Sequence, residues 1–178
     1  MKRTFFYYVF MALAVMTLAS ACDKDDFDAD YPSDEIEYDG SRKILVAYFS
    51  ATGNTQRRAE EIVAATGADV YRIEASEPYA SNPYDDSDRI QNESYNNLRP
   101  GVGNLPESID EYDVIFVGSP IWWHNPAMVV CTFLENYDLD GKIVIPFFTY
   151  GSTEYLQQSI DKIHEVTPAS VHLRTYTG

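Results

Sequence analysis

Apolar residues along the chain fall into short dense runs separated by amphipathic stretches. Ile44–Phe49 is continuously apolar, and comparable runs sit inside Asp113–Ser119 and Lys142–Thr149. Runs of this length bounded by turn residues read as strands buried on both faces. Between them the spacing becomes helical: Ala59, Ile62 and Val63 within Gln56–Thr66, then Val130, Phe133 and Leu134 within Ala127–Asn136, then Leu156, Ile160 and Ile163 within Thr153–Val166. Gly67 suits the residue past a helix end. Ala68–Glu74 alternates apolar and polar, as an edge strand does. Ala75–Gly103 is polar and broken by prolines, with one modest helix expected over Asp85–Leu98. Its tyrosines Tyr79, Tyr84 and Tyr95 either line a substrate edge or anchor the loop to the body.

This alternation predicts an α/β chain with a doubly wound parallel sheet between two helix layers, a three-layer α/β/α sandwich. Such sheets bind ligands beyond the carboxyl ends of their strands, at a topological switch point. The segments that converge there are Ser50–Thr55, Pro120–Pro126 and Thr149–Ser152. Ser50-Ala51-Thr52-Gly53-Asn54-Thr55 joins a buried strand to a helix start, rich in hydroxyls and with a glycine that lets backbone come close. Unpaired N–H groups and the helix dipole at such a junction favour an anion. The alternative is an ordinary turn with a threonine cap. Arg57 and Arg58 follow in the first turn, either neutralising a phosphate or sitting on a solvated face. Trp122 and Trp123 present indoles on which a flat heteroaromatic ring stacks, or they are core.

Read together, YFSATGNT, VGSPIWWHNPA, TFLENYDLDGK and FFTYGS resemble the flavodoxin family in content and order, over roughly residues 43 to 170. The hexapeptide lacks the Gly-Lys-Ser/Thr of a P-loop and the three glycines of a dinucleotide fingerprint. The resemblance implies strand order 2-1-3-4-5 and FMN as cofactor. Ser50, Ala51, Thr52, Gly53, Asn54 and Thr55 would hold its phosphate. Pro120, Ile121, Trp122, Trp123 and His124 would border its ring, with Thr149, Tyr150 and Gly151 closing the other side. His124 stands where related sequences carry a small residue; it is either a hydrogen-bonding partner of flavin or substrate or an exposed loop residue. The family completes a fifth strand and adds a final helix. After Val171–Tyr176 the chain ends, so a short fifth strand and a missing final helix are expected.

The amino end carries a different message. Lys2 and Arg3 precede the apolar stretch Phe5–Leu18, too short to span a bilayer and right for a signal peptide. Leu18-Ala19-Ser20-Ala21-Cys22 looks like a bacterial lipobox, which would place lipid on Cys22; ordinary signal-peptidase cleavage is the alternative. Nine of the 18 residues from Cys22 to Asp39 are acidic. That composition predicts a disordered tether, taken as residues 22–42, ahead of a domain over 43–178. Lys24-Asp25-Asp26 resembles an export signal for surface display. The expected location is the bacterial envelope, on the outer membrane.

Net charge of −15 argues against nucleic acid. Gly118-Ser119-Pro120 is no hydrolase elbow, His124, His164 and His172 lack metal-ligand spacing, and Cys131 reads as a small core residue. The function expected is redox chemistry through FMN, passing electrons to a partner protein or to a small acceptor such as a quinone. The alternative is a cofactor-free binding or structural lipoprotein.

Overall fold

The computed structural model describes residues 41–173. The expected signal peptide, Cys22, nearly all of the expected acidic tether and the residues after Leu173, where a final helix was expected to be missing, lie outside the described residues.

Each expected strand forms, and the order is as expected. β1 (Ile44–Tyr48), β2 (Asp69–Arg72), β3 (Val114–Trp122), β5 (Ile143–Thr149) and β6 (Val171–His172) make a parallel sheet in the order β2-β1-β3-β5-β6. β4 (Asn125–Pro126) pairs antiparallel with the end of β3, off this path. β1 is buried at every position because helices cover both of its faces. On one face Leu45, Ala47, Ile115, Val117, Val144 and Phe148 pack against α3 (Met128–Glu135) and α4 (Leu156–Val166), whose Phe133 and Ile163 are fully buried. On the other, Val46, Tyr48 and Phe147 meet Ala59 and Ile62 of α1 (Asn54–Thr66). Burial of each large side chain contributes about 1.5–3 kcal/mol. Gly67 ends α1 at φ 70°, its N–H bonded to the carbonyl of Val63. Cys131 is buried among apolar neighbours, which push its thiol up to about 12.

Gly118 is the closest fit in the sheet. A Cβ there would lie 2.2 Å from the Phe147 ring, so only glycine lets β3 and β5 sit side by side with that ring between the layers.

Three expectations change. β3 does not stop at Ser119; it runs on to Trp122. Helix Asp85–Leu98 resolves into a 3₁₀ turn, Pro83–Asp86, and α2 (Ser87–Tyr95). Similarly, a 3₁₀ turn at Thr153–Tyr155 precedes α4, with Ser152 accepting the Glu154 N–H as expected of a cap.

The edge strand β2 is exposed, with Val70 at 56 %. Its outer side is nonetheless engaged: Asn104 donates through Nδ2 to the Arg72 carbonyl (2.9 Å) and accepts the Glu74 N–H on Oδ1 (3.1 Å). The Gly103 N–H donates to Glu74 O at 2.8 Å and the Ser76 N–H to Gly101 O at 2.8 Å, continuing the cover.

Candidate functional site

The loop after β1 sets its turn with its own residues and is tied to two neighbouring strands. Ser50 is buried and its Oγ accepts the Gly53 N–H at 3.1 Å, folding the chain back on itself. Gly53 takes φ 86° and leads into α1 without a side-chain cap. The helix start therefore keeps its unpaired N–H groups and positive dipole end facing outward. Thr55 is buried, and its hydroxyl lies 2.8 Å from that of Thr149, tying the loop to the end of β5. From β2, Arg72 Nη2 donates to the Ser50 carbonyl at 3.2 Å.

The segment from Pro120 to Pro126 is a hairpin rather than a loop. Ile121 pairs with Pro126 and Trp122 with Asn125, which leaves Trp123 and His124 at the turn with φ 46° and 74°. Positive φ at both positions suits the twist of a hairpin, but side-chain-bearing residues there cost roughly 1–2 kcal/mol each. The surroundings offset this. Ser94 Oγ donates to the Trp123 carbonyl at 2.6 Å and accepts from Asn125 Nδ2 at 2.8 Å. Ser159 Oγ reaches the His124 carbonyl at 3.4 Å. The His124 ring stacks on Tyr155, centroids 3.8 Å apart, and Trp123 meets Tyr95 edge-on at 5.8 Å.

The two indoles differ. Trp122 packs edge-on against Phe49 (5.4 Å) and Tyr79 (5.2 Å), so it is part core and part cleft wall. Trp123 is 38 % exposed. Tyr79 is fixed in turn: its hydroxyl donates to Glu93 Oε2 at 2.7 Å, and the Arg89 guanidinium lies over its ring at 4.1 Å while bonding Glu93 Oε1 at 2.8 Å. Burial and the Glu93 carboxylate hold the Tyr79 hydroxyl well above the usual phenol range, so it stays a neutral donor.

These segments enclose a cleft of about 1000 Å³ at the carboxyl end of the sheet. Ala51, Thr52, Asn54 and Thr55 line it, as do Arg57 and Arg58. So do Pro120, Ile121, Trp122, Trp123 and His124, and across from them Thr149, Tyr150 and Gly151. Ser50 and Gly53 are not in the lining; they brace the loop from behind. The sequence reading did not include Asn82, Pro83, Ser87 and Ile90 of the polar insert, nor Tyr155 and Leu156, all of which reach the cleft. Only Tyr84 carried a usable signal, as an aromatic in a polar stretch.

The family model for flavodoxin matches residues 43–175. Among solved structures, a candidate flavoprotein from Bacteroides eggerthii is 38% identical with a TM-score of 0.69, covering 75% of this chain and 86% of that one. A second, from Bacteroides uniformis, is 33% identical with a TM-score of 0.69, over 75% and 88%. A flavoprotein from Lactobacillus acidophilus, solved in complex with FMN, is 25% identical with a TM-score of 0.65, over 76% and 92%. Among curated proteins, none matches. Sheet order, the loop at the switch point and the match over residues 43–175 agree, and the chain belongs to the flavodoxin family.

Proposed function

We propose that the protein binds FMN in this cleft and works as a redox protein. The observation that carries the reading is that one cleft joins an α1 start without a side-chain cap, with Arg57 and Arg58 beside it, to a wall of half-exposed indole and phenol rings. The residues fit the group. Thr52, Asn54 and Thr55, with the first N–H groups of α1, would hold the phosphate. Trp122, Trp123 and His124 would border the ring, and Thr149, Tyr150 and Gly151 would close its other side. The Lactobacillus flavoprotein, solved in complex with FMN, supports the choice of cofactor. FMN, when bound, supplies the electron-accepting and electron-donating ring; the chain supplies grip, orientation and a partly water-excluding wall. Electrons would pass to a partner protein or to a small acceptor such as a quinone.

The purified protein is expected to be yellow and to release FMN on denaturation. A colourless protein that takes up no FMN at micromolar concentration overturns the reading.

We also propose export with lipid on Cys22, anchoring the protein to the outer membrane, from the lipobox-like Leu18–Cys22. Cells fed a labelled fatty acid should label the chain, and Cys22→Ala should abolish the label. Label retained in that variant would remove the anchor from the proposal.

A further inference from the structure

The loop after β1 is gripped from behind by a side chain that does not line the cleft. Arg72 is the last residue of β2 and stands opposite Tyr48 in the register with β1. The ladder between the two strands closes one step later, where the Ile73 N–H donates to the Tyr48 carbonyl at 2.8 Å. Past that point the Arg72 guanidinium reaches across instead. Its Nη2 donates to the Ser50 carbonyl at 3.2 Å, and its Nη1 lies 3.5 Å from Gln56 Oε1. We infer that Arg72 is a positioning residue for the phosphate, one that selects FMN over riboflavin by fixing the loop and setting a positive charge behind it. The inference rests on the FMN reading and adds to it the residue that tells the phosphorylated flavin from the bare one.

Neither Arg72 nor Ser50 lines the cleft, so the carbonyl that Arg72 holds is kept out of it. A phosphate then meets the hydroxyls of Thr52 and Thr55 and the first N–H groups of α1, with no opposed carbonyl dipole from Ser50. Gln56 belongs to the first turn of α1. Its Nε2 donates to Glu60 Oε1 at 2.9 Å, which leaves its Oε1 to face the guanidinium. One planar group therefore spans the loop and the helix start, and its fork suits two acceptors at once. The root of that group is fixed as well, since Asn104 Nδ2 donates to the Arg72 carbonyl at 2.9 Å. A loop held against a sheet in this way is ordered before its ligand arrives.

Charge supplies the selection. The chain carries −15, which opposes an incoming phosphate, so a local cation is needed. Arg58 shares its charge with Glu61, 2.9 Å away. Among the described residues Arg72 forms no ion pair, and its two side-chain partners are neutral oxygens. Its charge is left to act on the loop in front of it, at a range beyond direct contact and in a manner that salt weakens. Riboflavin has no phosphate and feels none of this.

The test uses the full chain, titrated with FMN and with riboflavin at low and at high salt, reading flavin fluorescence. At low salt Arg72→Ala should weaken FMN about fivefold and leave riboflavin within about twofold. The loss of FMN affinity on adding salt should be smaller in Arg72→Ala than in the parent. Arg72→Lys keeps the charge and should hold FMN within about twofold of the parent. A merely structural role would weaken both flavins alike, and that result overturns the assignment. So does an FMN affinity unchanged in Arg72→Ala, or an Arg72→Lys variant no better than Arg72→Ala. A parent that takes up no FMN sinks the FMN reading and this one together; a parent that binds FMN no better than Arg72→Ala sinks this one alone.

Discussion

The loop after β1 and the hairpin after β3 flank the same cleft, but their turns are set differently. Ser50–Thr55 carries its turn within itself, in the Ser50 Oγ contact to the Gly53 N–H and the glycine at φ 86°, and is then tied outward by Thr55 to Thr149 and by Arg72 to the Ser50 carbonyl. The hairpin tip is held from outside, by Ser94 and Ser159 on distant helices and by the rings of Tyr95 and Tyr155. A contiguous device can be read from a hexapeptide. An assembled one cannot, because its partners lie about thirty residues away on either side, at |i−j| of 29 for Ser94 to Trp123 and 35 for Ser159 to His124.

The largest effect should come from the strand both devices stand on. Gly118→Ala forces a methyl into the Phe147 ring and should cost about 1–3 kcal/mol in a urea melt, loosening loop and hairpin together. An unchanged midpoint would mean that the Phe147 ring has another place to go.

Ser94→Ala separates the two regions. It strands the Trp123 carbonyl and the Asn125 amide, and should cost about 1–2 kcal/mol while shifting tryptophan emission to the red. The loop after β1 should be untouched, so the ratio of FMN to riboflavin affinity should hold. A change in that ratio would show that the regions are coupled after all.

Gly53→Ala is the mirror experiment. Nothing lies within 4 Å of the added methyl, so only the backbone strain counts, about 1 kcal/mol. FMN affinity should fall by a few fold and tryptophan emission should not move. Equal loss of riboflavin would point away from the phosphate.

The smallest effect is expected far from the cleft. His164 and His172 stack at 3.9 Å between α4 and β6, and His172 Nε2 lies 2.8 Å from Thr167 Oγ1. Burial lowers both below the ordinary imidazole value, and the charge of a protonated His172 lowers His164 further. Their protons bind more readily to the unfolded chain, whose imidazoles titrate near about 6.5. Stability should therefore be full above that pH and decline as pH drops through it toward the lowered folded values. Urea midpoints across this window should slope in the parent and slope less in His172→Asn, where only His164 remains. A parallel slope in both would assign the acid loss to other groups.

The strands and helix stripes were legible because the apolar runs of β1, β3 and β5 are long and the helices between them are amphipathic, while the strand order came from the resemblance to the family. The β1 loop was legible for the reason given above. What escaped was the continuation of β3. Pro120 and a Trp-Trp-His-Asn stretch give no hairpin signal, since the turn uses Trp123 and His124 where Asn-Gly would be the usual cue. Asn82, Pro83, Ser87 and Ile90 escaped because a polar, proline-broken insert shows no periodicity by which to place it. Tyr155 was hidden by the 3₁₀ turn that sets it under His124.

Asn104 has a consequence beyond its own loop. With the Arg72 carbonyl and the Glu74 amide already taken by its side chain, a strand from another copy loses two of its docking points at the carboxyl end of β2. At high local density, knitting into a shared ribbon through that flank would be shortened by those two contacts.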